Sequence, residues 1–205
     1  MKKYPRSELL PIANKIKNRL KKIKGVIRVE IAGSIRRKKE MVKDIDILVS
    51  AKNHELVIEK FVNMSEVGSV VSKGSTRSSV KLKKGINVDL RVVDDSSYGA
   101  ALQYFTGSKY HSIKMRQIAI KKGLKLNEYG VFDRKTNKKL AGKSEKSVYK
   151  ILGMKYVKPE ERYWFYSSKS SISISTPSGI GTLIISLKAL SSTPKSINLL
   201  WILNS

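Results

Sequence analysis

Asp44 and Asp46 flank Ile45 just ahead of an apolar run, Ile47-Leu48-Val49, and a further acid, Asp89, sits between Val88 and Leu90. Side chains alternate along a strand, so Asp44 and Asp46 point to one side and Ile45 and Ile47 to the other. Carboxylates stacked on one face repel unless a cation lies between them. A hard cation such as Mg²⁺ accepts a few carboxylates and takes its other ligands from water and substrate phosphates. Asp89 faces away from the core side chains Val88 and Leu90. If its strand lies beside the one bearing Asp44 and Asp46, the carboxylates converge on one surface. Such a set can hold two Mg²⁺ ions roughly 3.5–4 Å apart, clamping the attacking and leaving oxygens of a phosphoryl transfer.

Gly33-Ser34-Ile35-Arg36-Arg37 lies just upstream. Gly33 lets backbone approach a phosphate closely, and Ser34 adds a hydroxyl donor. Arg36 and Arg37 can neutralise further phosphate charge. A lone Gly-Ser turn means little, and a lone Asp-x-Asp pair is usually a solvated strand edge. Both within residues 33 to 46 are hard to explain as packing, because acids at a strand start cost stability unless something pairs them. Together they read as a metal-dependent nucleoside triphosphate site.

The elements that must position these residues follow from periodicity. Val26 to Ile31 reads as the strand entering the glycine turn and basic loop. Residues 6 to 23 form a basic amphipathic helix, with Leu9, Leu10, Ala13, Ile16 and Leu20 at helical spacing. It reads as a packing helix with a solvated lysine face rather than one laid on DNA. Residues 52 to 64 read as a helix with Leu56, Val57, Phe61 and Val62 as its apolar side. Gly68 to Lys73, Ser78 to Lys83 and Ile86 to Val93 read as strands, with a tight turn at Lys84-Gly85. Residues 98 to 106 and 109 to 122 read as helices, the second strongly basic through Lys109, Lys114, Arg116, Lys121 and Lys122, with Gly123 as its C-cap. A small sheet follows over Leu124 to Leu140, then a short helix from Ser144 to Leu152 capped by Ser144.

Lys and Arg number 42 against 16 Asp and Glu, a net charge of +26. That excess points to a polyanionic partner, with nucleic acid first and an anionic membrane as the rival. No early apolar run has signal-peptide or membrane-spanning length. With no cysteine, disulfides and thiolate metal sites are excluded, and His54 and His111 stand too far apart for zinc-ligand spacing. From Ser167 onward serine dominates and acids vanish. Three readings of that tail stay open: disorder, a short anchoring segment, or an altered reading frame.

Over about residues 25 to 162 the chain resembles the family X DNA polymerases, within the wider nucleotidyltransferase superfamily. The resemblance rests on Gly33-Ser34-Ile35-Arg36-Arg37, Asp44-Ile45-Asp46 and Val88-Asp89-Leu90-Arg91. It continues in Ala101-Leu102-Gln103-Tyr104-Phe105-Thr106-Gly107-Ser108 and Gly123-Leu124-Lys125-Leu126-Asn127-Glu128-Tyr129-Gly130. Five motifs in the family's order make it specific, and bacterial and archaeal members look nearest.

The resemblance implies an α+β fold: a palm with a mixed sheet and helices over 25–96, then a small α+β thumb over 97–166. The basic helix of 1–24 precedes the palm, and the serine-rich tail of 167–205 follows the thumb. Asp44, Asp46 and Asp89 would be the catalytic metal ligands for two Mg²⁺ ions, with Mn²⁺ as a substitute. Gly33, Ser34 and Arg37 would hold the triphosphate, and Tyr104, Phe105 and Gly107 would line the incoming sugar and exclude a 2′-hydroxyl. Arg116 would meet the template strand, aided by Lys109, Lys114 and Lys121, while Arg36 and Arg91 support the site. Ser112 stands where many members carry an Asn that contacts the incoming base. Only some 24 residues precede the palm, leaving no room for an N-terminal lyase domain, and the C-terminal phosphoesterase of many bacterial members is absent. The expectation is a minimal monomeric polymerase with DNA and dNTP as partners and no membrane, working in the cytoplasm or nucleoid. Two rivals are a template-independent or RNA-directed nucleotidyltransferase and a non-catalytic basic DNA-binding protein.

Overall fold

The computed structural model describes residues 2–162. The expected serine-rich tail lies outside the described residues. A basic helix α1 (Arg6–Lys21) leads into β2 (Val26–Ile31), and its Leu9, Ala13, Ile16 and Leu20 are fully buried. Those positions repeat at the helical period, which is why the lysines fall on the opposite face. Two-residue strands β1 (Tyr4–Pro5) and β3 (Met41–Val42) pair antiparallel and tie the start of the chain to the loop before Asp44. Strands this short leave no periodicity to read in the sequence.

The main sheet has five strands in the order β2-β4-β7-β6-β5, with β4 (Asp44–Ala51), β5 (Val67–Lys73), β6 (Arg77–Leu82) and β7 (Asn87–Val93). β4 and β7 pair in parallel and every other neighbour is antiparallel, so the sheet is mixed. The connection from β4 passes through helix α3 (His54–Val62). Asn53 caps α3 by accepting the Leu56 backbone N–H, and the buried stripe is Val57, Ile58, Phe61 and Val62. The expected stripe held Leu56 in place of Ile58. The observed spacing of one, four and five residues is the tighter helical match, and it leaves Leu56 half-exposed on the first turn.

Each strand divides by alternation. Ile45, Ile47 and Val49 of β4, Val88, Leu90 and Val92 of β7, and Val80 and Leu82 of β6 face a core shared with α1 and α3. The opposite face carries Asp44, Asp46 and Leu48, then Asp89, Arg91 and Val93. One end of that face is covered by α4 (Tyr98–Thr106), whose Tyr98, Ala101 and Leu102 pack on Leu48 and Val93. The acidic end lies beyond α4, and its three acids are half-buried.

Helix α4 also closes a second core. Its Ala100 packs with Met115 and Ala119 of α5 (Lys109–Lys121) and with Leu124 and Leu126 of β8 (Leu124–Asn127). β9 (Gly130–Asp133), β10 (Lys139–Ala141) and α6 (Glu145–Ile151) complete it. Ser144 caps α6 by accepting the Ser147 N–H, as its sequence position implies. An α4 buried on two sides needs a small residue where α6 begins. A Cβ on Gly99 would lie 2.1 Å from the carbonyl carbon of Ser144. Gly99→Ala should therefore force α4 and α6 apart and destabilise the fold by about 1–3 kcal/mol, read as a lower thermal midpoint. An unchanged midpoint would contradict this packing.

Candidate active site

The parallel register sets Asp46 directly beside Asp89 and Asp44 beside Asn87. The three sequence-identified acids thus share one sheet face, as strand alternation requires. The segment before them, expected as a glycine turn and basic loop, forms a single helical turn, α2 (Gly33–Arg36). The Ala32 N–H donates to the Asp46 carbonyl oxygen at 2.8 Å, closing α2 onto β4. Gly33 has φ +56°, and a Cβ there would come 1.8 Å from Asp46 Oδ2. The glycine thus permits the backbone to approach a carboxylate, a use distinct from the phosphate approach expected of it.

Crowding of like charge has a measurable consequence. Withdrawal from water, reinforced by Asp44 and Asp89, pushes the Asp46 carboxyl up to about 7, while Arg37 pulls the other way. Asp44 is raised by the same burial and by Asp89. The three side chains do not close into a ready-made cage: among the described residues no group of three His, Asp or Glu is arranged to hold a metal. Repelling carboxylates splay until a cation draws them together. Their chemistry suits one: oxygen donors on one face, with open space beside them for phosphates and water.

That space is a cleft of about 260 Å³ lined by Asp46, Asp89, Arg77, Arg91, Tyr104 and Phe105, with Glu128 at its thumb side. Tyr104 and Phe105 meet edge to face with ring centroids 5.1 Å apart. The Arg91 guanidinium lies 5.0 Å from the centre of the Phe105 ring. Gly107, with φ +66°, follows at the end of α4, and a Cβ there would sit 3.2 Å from Arg37 Nη1. Arg37 donates to the Thr106 carbonyl oxygen, so it spans from the acids to the end of α4. Ser34 is half-exposed on α2.

Arg36 points elsewhere. The sequence offered its guanidinium to a phosphate. Here it forms a two-pronged pair with Glu145 at 2.6 and 3.0 Å and donates to Thr106 Oγ1 at 2.7 Å. Buried Arg162 donates to the same carboxylate at 2.7 Å and to the Val157 carbonyl oxygen. Burial alone would raise Glu145, but the Arg36 hydrogen bonds and the two positive charges outweigh it and hold its pKa below the ordinary range. Arg36 thus fastens α2, which touches Asp46, to α6 of the second core. Glu145 and Arg162 escaped the sequence reading because nothing local marks a pair seventeen residues apart. Arg77 was also missed, although it alternates with core residues of β6 and its face was inferable.

On α5, Lys109, Arg116 and Lys121 are exposed and Lys114 is half-exposed, opposite buried His111, Met115 and Ala119. Ser112 is buried on the inner side, and its hydroxyl has no hydrogen-bond partner among the described residues.

A family model of the DNA polymerase beta palm matches residues 3–90, and one of the DNA polymerase beta thumb matches residues 101–163. The repair DNA polymerase X of African swine fever virus is 31% identical over 136 residues, 63% of this chain and 78% of its own length. This chain belongs to family X of the DNA polymerases. The DNA polymerase/3′-5′ exonuclease PolX of Bacillus subtilis is 35% identical over 162 residues, covering 78% of this chain but only 28% of the bacterial protein. Human DNA-directed DNA/RNA polymerase mu is 38% identical over 90 residues. The family's α+β palm and thumb agree with the two cores described above. Family membership carries a general dependence on divalent cations, which accords with a carboxylate face of this kind.

The raised Asp46 gives a pH test on metal-free protein. An unfolded Asp titrates near 3.9, so between about 4 and 7 the native state holds a proton that the unfolded state has released. That contribution to stability is present at low pH and is lost as pH rises through about 7. Asp46→Asn keeps a neutral side chain throughout. The variant's stability advantage should therefore grow from about pH 5 to about pH 8 in denaturant titrations without metal. A constant difference across that range would contradict the burial and like-charge crowding that raise Asp46.

Proposed function

We propose that the chain is a template-directed DNA polymerase that fills short gaps, adding dNMP to a primer 3′-hydroxyl. The observation that carries this reading is the Asp46–Asp89 register on the floor of a cleft walled by Tyr104 and Phe105. In the reaction a bond forms between the primer O3′ and the α-phosphorus, the α–β phosphate bond breaks, and pyrophosphate leaves. Two bound Mg²⁺ ions, or Mn²⁺ in their place, would supply charge neutralisation and activation of the 3′-hydroxyl.

The chain's own residues do the rest. Asp44 and Asp46 would hold both ions, and Asp89 would help activate the primer 3′-hydroxyl through one of them. Ser34 and Arg37 hold the triphosphate, supported by the place of Arg37 between the acids and Thr106. Tyr104 and Phe105 pack beside the sugar and exclude a 2′-hydroxyl, with Gly107 letting the backbone come close. Ser112, at the position assigned to the incoming base, has a short side chain that is buried on the inner side of α5. Arg116, Lys109, Lys114 and Lys121 bind DNA, supported by the outward basic face of α5. Catalysis is then mainly positioning and electrostatic stabilisation. The partners are gapped or primed DNA and dNTP, the protein acts as a monomer, and its place is with the nucleoid or in the cytoplasm. Among the described residues no helix is long and apolar enough to cross a membrane.

Primer extension on gapped DNA, with dNTPs and rNTPs in parallel, tests this. The parent should extend with dNTPs and discriminate against rNTPs. Asp89→Asn should lose incorporation by at least about a thousandfold while retaining DNA binding, since it removes a ligand from a charge-stabilising site. Normal extension by that variant would sink the mechanism.

A further inference from the structure

Strand β6 runs antiparallel to β7 and sets Arg77 opposite Arg91, Ser79 opposite Asp89, and Lys81 opposite Asn87. These residues alternate with core positions, so they share the carboxylate face. Asp89 therefore has two cationic neighbours on its own pleat. Arg91 lies two residues along the strand and Arg77 diagonally across, both within reach for long side chains. A carboxylate so placed is drawn toward a guanidinium, because charge-assisted pairs are the stronger ones. The structure shows a different arrangement. Arg91 lies over the Phe105 ring, and the Ser79 hydroxyl donates to Asp89 Oδ1.

A neutral donor has two effects that a guanidinium would not. It fixes the Asp89 side-chain torsion through one oxygen, and it leaves the negative charge in place for a cation. Ser79 is also small and half-buried, so it reaches Asp89 without filling the cleft. We propose that Ser79 is a positioning residue for Asp89: its hydroxyl holds the carboxylate beside Asp46 and away from Arg77 and Arg91. Both carboxylates then meet a shared divalent cation without an ion pair having to break first. This deepens the polymerase reading and rests on it. Hydrogen-bond partners of metal-ligating side chains act in this way, orienting the ligand and tuning its affinity.

The test uses the full chain, its Ser79→Ala variant and its Ser79→Thr variant. Ser79→Ala should weaken Mn²⁺ binding about 10-fold, read from the electron-paramagnetic signal of free Mn²⁺, and lower kcat by a similar factor at saturating dNTP. The KM for dNTP and the thermal midpoint should stay as in the parent. Ser79→Thr keeps the hydroxyl and suits a strand, so it should restore both quantities. Unaltered Mn²⁺ affinity in Ser79→Ala overturns the proposal. So does a loss that tracks a fall in thermal midpoint and is not recovered by Ser79→Thr. If the parent binds Mn²⁺ but extends no primer, the polymerase reading falls, while the Mn²⁺ comparison still decides the role of Ser79.

Discussion

Like charges held on one sheet face are the constraint on which the rest of this structure depends. Asp46 and Asp89 are neighbours across a parallel strand pair, and Asp44 is one pleat away. Burial first, and the repulsion within such a cluster second, make Asp46 hold a proton up to about pH 7. The fold keeps the acids together by building everything else around them without neutralising them. Their strands are anchored from behind by Ile45, Ile47, Val88 and Leu90 in a core shared with two helices. Gly33 presses backbone against Asp46 where any side chain would clash.

The second requirement is that a substrate face the acids from one direction. Helix α4 provides it by covering half of the carboxylate face and stopping at Phe105 and Thr106, so that the sheet and the helix end bound a cleft. Because α4 packs on Leu48 and Val93 of the sheet and places Ala100 in the second core, its position depends on both. Arg36 adds a polar tie from α2 to Glu145, which Arg162 completes from behind. Removing one partner would leave a buried charge uncompensated, which is costly. The same pair therefore couples the placement of α2, next to Asp46, to that of the second core.

Much of this was legible in the sequence, for physical reasons that differ by residue. Alternation set the faces of Asp44, Asp46 and Asp89, because a strand has a strict period of two. Their pairing was conditional on β4 and β7 being neighbours, which no local pattern encodes. Family resemblance supplied the palm and thumb order. What escaped was long-range or locally unmarked. Arg36 has the same sequence environment as Arg37, and only the partner Glu145, 109 residues later, separates their roles. The pairing of Tyr4–Pro5 with Met41–Val42 is too short for periodicity. Leu56 and Ile58 are equally apolar, so the sequence does not separate them, and only the packing of α3 buries Ile58 and leaves Leu56 half-exposed.

The central claim is that these carboxylates are held together on one face, without a cationic side chain neutralising them, for divalent cations to bind. Anomalous scattering from Mn²⁺ tests it most directly, in crystals of the protein with gapped DNA and a non-hydrolysable dNTP. The account predicts two Mn²⁺ peaks bounded by Asp44, Asp46 and Asp89, roughly 3.5–4 Å apart. Crystals in which these side chains bind no Mn²⁺ and instead form ion pairs with Arg37, Arg77 or Arg91 would contradict it.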